Sequence, residues 1–261
     1  IRRGECWAEL CADRRLTAVV GSHGKSTVSA LIAHAARKLG LDCGYLVGAV
    51  PVDFPMHRYC GKGGIVVSEI DESDGTIERF SPEITVALNA DLDHTDTYAD
   101  TSRLEEMFER LFARTKKTVI YPKGDALLER VAARSKSPCR AVEIGTEFTQ
   151  INRAMATAAV EETFAIKIDT SVFDDYKGLL RRQETLLDTP RLRVVADYAH
   201  HPTEIVALLN SYREEKPVVV FQPHTYSRTK YLLPEFVSAL TRAEKVVIYK
   251  TYPAREKFDE D

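Results

Sequence analysis

The chain has 261 residues, enough for two domains of ordinary size. Its composition is that of a globular protein, and 36 Lys and Arg against 39 Asp and Glu leave a net charge of −3, which argues against a general nucleic-acid-binding protein. No apolar run approaches the length of a membrane span, and the five cysteines include no C-x-x-C pair, so we expect a cytoplasmic protein with free thiols and no membrane insertion.

Short β-rich runs alternate with helical stretches in the first part of the chain, which predicts α/β layers around a mainly parallel sheet. The predicted strands are Leu16–Val20, Gly64–Ile70, Glu83–Asn89 and Lys117–Tyr121. The predicted helices are Lys25–Leu39, which Gly40 would cap, and Ser102–Ala113. In such sheets ligands bind at the carboxyl ends of the strands, so polar clusters there are the first candidates for a site.

A second series of elements begins near Arg191. The predicted strands are Arg193–Asp197, Pro217–Phe221 and Lys245–Tyr249, and the predicted helices are Pro202–Tyr212 and Leu232–Leu240. The polar stretch Arg181–Glu184 separates this series from the first. We therefore expect a P-loop-type domain over residues 1–185 and a partial Rossmann-like α/β domain over residues 186–261.

The sharpest motif follows the first predicted strand and opens the first predicted helix. It consists of Gly21, Ser22, His23, Gly24, Lys25, Ser26 and Thr27. Backbone N–H groups in such a turn, with the positive end of the helix, bind phosphate oxygens. Lys25 would pair with the β- and γ-phosphates, and the Ser26 hydroxyl would ligate Mg²⁺. The pattern G-x-x-G-K-S-T is a shortened P-loop and predicts a nucleotide-binding site; a glycine-containing turn with an incidental lysine is the alternative.

Acidic residues are concentrated where the predicted strand Gly64–Ile70 ends. They are Glu69, Asp71, Glu72 and Asp74. A hard divalent cation beside a triphosphate requires such carboxylates, but a solvated acidic loop has the same composition. The segment Asn89–Asp96 follows the next predicted strand and contains His94, which is a candidate metal ligand or general base, or else an exposed loop histidine.

Five motifs in this order and at this spacing resemble the Mur ligase family, which forms amide bonds in bacterial peptidoglycan synthesis. They are G-S-H-G-K-S-T, E-I-D-E-S-D, N-A-D-L-D-H-T-D-T-Y, D-Y-A-H-H-P-T-E and F-Q-P-H-T-Y-S-R-T. The last two are similar to those of the members that join L-alanine to UDP-N-acetylmuramate. The resemblance implies a ligase that uses ATP and Mg²⁺. In such a ligase ATP phosphorylates the muramyl carboxylate and leaves as ADP, the L-alanine amine attacks the carbonyl of the acyl phosphate, and the tetrahedral intermediate expels phosphate to leave the amide.

The resemblance also implies catalytic roles for single residues. Lys25 and its loop would hold the ATP phosphates, and Arg182 is similar to an arginine at the γ-phosphate. Ser26 and Glu69 resemble ligands of one Mg²⁺, and His94 a ligand of a second. Together such groups would neutralise the charge that builds up during phosphoryl transfer.

Further residues match the family's binding positions. Those that resemble nucleotide contacts are Asn152, Asp197, Tyr198 and His201. His224 and Arg228 resemble the residues that recognise the incoming alanine, since an arginine suits its carboxylate. For Tyr198 and His200 a packing role is an equal alternative.

The motifs correspond to the family's central domain and part of its C-terminal domain, and no segment of this sequence resembles the amino-terminal domain that binds the uridine nucleotide. A nucleotide-binding module without ligase activity is therefore an alternative function, and a related ligase that attaches whole peptides to muramate is another. His224 and Arg228 favour a ligase of amino acids, because a nucleotide-binding module does not need them.

Overall fold

The computed structural model describes residues 3–71, 75–90, 101–254 and 256–257. The chain divides into two compact units, Ile1–Leu180 and Arg181–Asp261. This division falls before the predicted boundary at residue 185, because Glu184–Asp188 is a strand that pairs with Arg193–Ala196 within the second unit. The five cysteines are free thiols.

The first unit is built from alternating helices and strands. Its helices are α1 (Arg3–Cys11), α2 (Lys25–Lys38), α3 (Thr101–Arg114), α4 (Ala126–Arg134) and α5 (Phe148–Phe164). Its strands are β1 (Arg15–Val20), β2 (Gly44–Leu46), β3 (His57–Arg58), β4 (Ile65–Glu69), β5 (Ile84–Ala87), β6 (Thr118–Pro122) and β7 (Cys139–Val142). Short 3₁₀ helices lie at Thr76–Arg79 and Thr170–Phe173.

The strands of the first unit form one seven-stranded sheet in the order β3-β2-β4-β1-β5-β6-β7. All neighbouring strands are parallel except β3, which is antiparallel to β2. β1 is central, and its residues from Leu16 to Val20 are all buried. A continuous apolar run of this kind is expected of a parallel strand that helices cover on both faces. The predicted mainly parallel α/β sheet is confirmed.

Two apolar cores lie on opposite faces of this sheet, because successive side chains of β1 alternate: Val19 belongs to one core, and Ala18 and Val20 to the other. α2 and α5 contribute to the first core, and α1, α3 and α4 to the second. The buried residues of α3 are spaced as one helical face requires: Leu104, Met107, Phe108, Leu111 and Phe112. Burial of each such side chain stabilises the fold by roughly 1.5–3 kcal/mol.

The second unit combines a hairpin with a parallel β–helix–β arrangement. Its strands are β8 (Glu184–Asp188), β9 (Arg193–Ala196), β10 (Val218–Phe221) and β11 (Lys245–Ile248). Its helices are α6 (Pro202–Ser211), α7 (Tyr226–Tyr231) and α8 (Leu233–Leu240), with a 3₁₀ turn at Arg213–Glu215. β8 and β9 are antiparallel, and β10 and β11 are parallel. A small core gathers between α6, α8 and β10 around Leu209, Phe221 and Phe236.

Across the described ranges, no helix combines the length and the apolarity that crossing a membrane requires.

Candidate active site

The Gly-rich loop lies at the centre of the sheet's carboxyl edge. β1 ends at Val20, and α2 begins at Lys25. Since β4 and β5 are the neighbours of β1, the residues that follow these two strands flank the loop. Gly21 and Gly24 have φ values of +127° and +83°, a conformation that residues with a Cβ rarely adopt. The two glycines therefore set the sharp path from strand to helix.

Lys25 folds back over this loop. Its ammonium donates a hydrogen bond to the Gly21 carbonyl oxygen at 2.5 Å and lies 3.5 Å from the Ser22 carbonyl oxygen. In the described first turn of α2 there is no acidic residue, and the N-cap Gly24 supplies no side-chain cap. The positive end of this helix is therefore suited to an external anion such as a phosphate.

Asn152, near the start of α5, lies against the loop. An ideal Cβ on Gly24 would stand 3.0 Å from the Asn152 Oδ1 atom and 3.4 Å from the Leu88 Cδ1 atom. The packing of α5 on α2 thus brings Asn152, a residue far along the sequence of the first unit, to the Gly-rich loop. The structure places this predicted nucleotide contact beside Gly24.

Glu69, the last residue of β4, lies beside the end of β1, the strand that leads into the loop. In the parallel pairing of β1 and β4 it is the register partner of Val19, and the Ile70 N–H donates to the Val19 carbonyl at 2.9 Å. The Glu69 Oε2 atom is buried and has no hydrogen-bond partner among the described residues. A buried carboxylate oxygen without a partner is energetically costly, which indicates a group that a cation completes.

This arrangement fits a magnesium ion better than a protein-made metal cage. Among the described residues, no group of three or more His, Cys, Asp or Glu side chains is placed to hold a metal. Mg²⁺ in nucleotide sites is usually bound by one or two carboxylates together with substrate phosphates and water. Glu69 would supply the carboxylate and Ser26, in the first turn of α2, the hydroxyl.

Of the remaining acidic residues of this edge, one lies within the described chain. Asp71 follows β4 within the described chain. His94, the predicted ligand of a second cation, lies outside the described residues, as do Glu72 and Asp74.

Asn89 was not among the predicted site residues, yet it contacts the Gly-rich loop directly. Its Oδ1 atom accepts a hydrogen bond from the His23 N–H at 2.9 Å, and its Nδ2 atom donates one to the His23 carbonyl at 3.0 Å. The sequence hints at this residue through its position just after a strand and at the start of the motif N-A-D-L-D-H-T-D-T-Y, but the pairing of β1 with β5 determines what it contacts.

In the second unit, Arg182 and Asp197 lie close to Tyr198. The Arg182 guanidinium carbon is 5.6 Å from the centre of the Tyr198 ring, and an Nη1 atom lies 3.6 Å from a Glu204 carboxylate oxygen. Asp197 accepts hydrogen bonds from the main-chain N–H groups of Gln183 (2.8 Å) and Ala199 (2.7 Å). Burial raises the pKa of Asp197, although these hydrogen bonds and the Arg182 charge act in the opposite direction. In the structure Asp197 therefore holds the turn that presents Arg182.

Four rings of the second unit form a continuous cluster: Tyr198, His200, His224 and Tyr252. Their centroids are separated by 5.1 Å (Tyr198–His200), 5.6 Å (His200–His224) and 5.4 Å (His224–Tyr252). Burial lowers the pKa of His224, and the charges of His200 and Arg228 act in the same direction. The imidazole of His224 is thus held in its neutral form over a wider pH range.

His201 has a structural contact of its own. It is buried and precedes α6, where its Nδ1 atom accepts a hydrogen bond from the Thr203 N–H at 3.3 Å. This predicted nucleotide contact is therefore the N-cap of a helix in the structure.

The segment that carries His224 and Arg228 is pinned to the chain near Tyr252. The Thr225 N–H donates to the Tyr252 carbonyl at 2.8 Å, and the Tyr252 N–H donates to the Pro223 carbonyl at 2.8 Å. The Glu256 carboxylate accepts hydrogen bonds from the N–H groups of Tyr226 (2.5 Å) and Ser227 (3.1 Å) at the start of α7. No sequence motif marks Tyr252 or Glu256, because the pairing of β10 with β11 is what brings the chain after β11 to this segment.

Two family models together match most of the chain. The Mur ligase middle domain matches residues 19–178, and the domain described as "Mur ligase, glutamate ligase domain" matches residues 181–260. The chain is 31% identical to the UDP-N-acetylmuramate–L-alanine ligase of Desulforapulum autotrophicum over 98% of this chain and 66% of that protein. It is likewise 31% identical to the Aquifex aeolicus protein of the same name, over 98% and 66%. The chain thus spans about two thirds of the length of the curated relatives it matches.

Solved structures show the same fold. The UDP-N-acetylmuramate–alanine ligase of Thermotoga maritima matches with a TM-score of 0.76 at 23% identity, covering 96% of this chain and 65% of that one. A murein peptide ligase of Psychrobacter arcticus matches with a TM-score of 0.68 at 17% identity, covering 95% and 72%. Since the middle-domain model alone covers more than half of the residues, this chain belongs to the Mur ligase family.

Proposed function

We propose that this chain is the ATP-using part of a ligase that joins L-alanine to the muramyl carboxylate of UDP-N-acetylmuramate in peptidoglycan synthesis. The observation that carries the proposal is that the Gly-rich loop and Glu69 lie at the ends of the paired strands β1 and β4. The buried Oε2 atom of Glu69 lacks a partner among the described residues. The names of relatives that are 31% identical supply the substrates.

In the first unit, the proposed task is to bind Mg-ATP and stabilise charge in phosphoryl transfer. Bound Mg-ATP supplies the phosphoryl group that activates the carboxylate as an acyl phosphate. Lys25, now on the Gly21 carbonyl, moves onto the phosphates, and the N–H groups at the start of α2 face them. Glu69 and Ser26 hold the cation, and Asn152 contacts the nucleotide beside Gly24. Such preorganised charges are the main contribution that proteins make to phosphoryl transfer.

In the second unit, the proposed task is to bind the amino acid. The Arg228 guanidinium is suited to the L-alanine carboxylate, which it can bind through two charge-assisted hydrogen bonds. His224, neutral because its pKa is lowered, can accept a hydrogen bond from the substrate amine. Arg182, held beside Tyr198 and Glu204, supplies a positive charge for the γ-phosphate. We place the reaction in the cytoplasm, where ATP and the nucleotide-linked sugar are made.

The test is ADP release by the complete product of the gene, with each substrate omitted in turn. We expect ADP only when Mg-ATP, UDP-N-acetylmuramate and L-alanine are all present, with formation of the amide product. ADP release that needs neither of the other substrates would indicate a nucleotide-hydrolysing module. If the protein joins a whole peptide to the muramyl carboxylate in place of L-alanine, it is a peptide-attaching ligase.

A further inference from the structure

We infer that Asn89 is a positioning residue that holds the phosphate loop in its anion-binding shape through a two-point clasp on the main chain of His23. The clasp consists of the hydrogen bonds from the His23 N–H to Oδ1 (2.9 Å) and from Nδ2 to the His23 carbonyl (3.0 Å). The inference rests on the proposed function, because the loop's shape has its effect through ATP.

The clasp begins where the sheet ends. Main-chain hydrogen bonds join β1 to β5 as far as the Leu88 N–H, which donates to the Val20 carbonyl at 2.9 Å. Beyond this point the loop leaves the sheet and turns towards α2. In the clasp the side-chain amide of Asn89 uses one donor and one acceptor, as a backbone peptide group does, and so continues the ladder by two bonds.

Close packing makes the clasp specific. An ideal Cβ on Gly21 would lie 2.9 Å from the Asn89 carbonyl oxygen and 3.0 Å from its nitrogen, so the two main chains touch. Aspartate would keep the acceptor and lose the donor, and glutamine would need an extra methylene where the chains already touch.

The clasp orients the N–H groups at the start of α2 that would bind phosphate. The first N–H groups of a helix have no intrahelical acceptors and are available to an anion. Holding His23 by both of its main-chain groups sets the direction in which the chain enters α2 at Lys25. The clasp thereby aligns these donors before ATP arrives, and binding does not have to order the loop.

The experiment compares Asn89→Ala and Asn89→Asp with a matched control on the same strand. Thr85→Val removes the buried hydrogen bond between the Thr85 and Thr115 hydroxyls (2.6 Å) and leaves the loop untouched. Three quantities are measured: the melting temperature, the Kd for Mg-ADP and the hydrogen exchange rate of the His23 amide in the nucleotide-free protein.

We expect both Asn89 variants to raise the Kd for Mg-ADP by about tenfold or more, which corresponds to about 1.4 kcal/mol. We also expect Asn89→Ala to speed exchange at the His23 amide, while Thr85→Val lowers the melting temperature and leaves the Kd and the exchange rate as in the wild type. A wild-type Kd in Asn89→Ala, or losses of affinity in all variants that simply follow the melting temperature, would overturn the inference.

The amide exchange separates this inference from the proposed function. If the wild type and Lys25→Ala both fail to bind Mg-ADP, the nucleotide function is wrong. Unchanged exchange at His23 in Asn89→Ala would show that there is no clasp, whatever the protein binds.

Discussion

The Cα atom of Gly48 lies directly against the carboxylate of Glu69. An ideal Cβ on Gly48 would stand 1.7 Å from the Glu69 Oε1 atom and 2.4 Å from its carboxyl carbon. Real atoms do not approach so closely, so only a glycine leaves room for Glu69 in this position. Gly48 follows β2, and the pairing of β2 with β4 brings the two residues together.

Gly48→Ala should therefore displace the Glu69 carboxylate and raise the Mg²⁺ concentration needed for nucleotide binding. The measurement is a titration of Mg-ADP binding with Mg²⁺ at constant ADP. Gly61→Ala is the control, because an ideal Cβ on Gly61 meets no atom within 4 Å. A normal Mg²⁺ titration for Gly48→Ala would show that the Glu69 carboxylate has no part in binding the cation.

Glu69→Gln should have the same effect with less disturbance of packing, since the side chain keeps its size and loses its charge. We expect a higher Mg²⁺ requirement and an unchanged or higher melting temperature, because a buried carboxylate oxygen without a partner destabilises the folded state. A variant with a lower melting temperature and wild-type Mg²⁺ dependence would mean that the charge serves the fold alone.

Lys25→Ala should abolish ATP turnover and leave the fold intact, because the ammonium faces charge that develops during phosphoryl transfer. Steady-state turnover and the melting temperature are the two measurements. A variant that keeps more than about a tenth of wild-type turnover, equivalent to a loss of under about 1.4 kcal/mol, would contradict this role.

Arg228→Ala should raise the KM for L-alanine far more than the KM for ATP, since the guanidinium would bind the amino-acid carboxylate. Arg242→Ala is a matched control: it removes an arginine of the same unit whose side chain contacts Asn210 instead (3.3 Å). Initial rates over both substrate concentrations distinguish the cases. Equal increases in both KM values would point to a general disturbance of the second unit.

Asp175→Asn should lower the free energy of unfolding near neutral pH, and the difference from wild type should shrink in acid. The hydrogen bond from Lys38 lowers the pKa of Asp175 from 3.8 to about 2, against the opposing effect of burial and with help from His34. Because the folded state depresses this pKa, the stabilisation is complete above pH 3.8 and is lost as the pH falls towards 2.

Urea unfolding at several pH values checks this, with Asp42→Asn as the control for loss of an exposed carboxylate near Arg58. A difference between wild type and Asp175→Asn that stays constant from pH 6 to pH 2.5 would contradict the linkage.

Local patterns predicted much of the fold. Every predicted strand and helix is present, with ends that differ from the prediction by at most two residues. Helices α1, α4, α5 and α7 and strands β2, β3, β7 and β8 were not predicted. α5 is rich in alanine and is buried against α2, so its sequence lacks the alternation of apolar and polar residues that marks a half-exposed helix.

The sequence by itself determined that a glycine-rich turn joins a buried strand to a helix, and that carboxylates follow a second strand. Both features depend on residues close together in the chain, where periodicity and backbone preferences act. Only the tertiary structure decided that β4 and β5 flank β1, so that Glu69 and Asn89 lie on opposite sides of the strand that leads into the loop. It also decided that Gly48 makes room for Glu69 and that Asn152 reaches Gly24. These contacts join residues up to about 130 positions apart, and they follow from the burial of two apolar sheet faces, which selects one strand order out of many that satisfy the same local preferences.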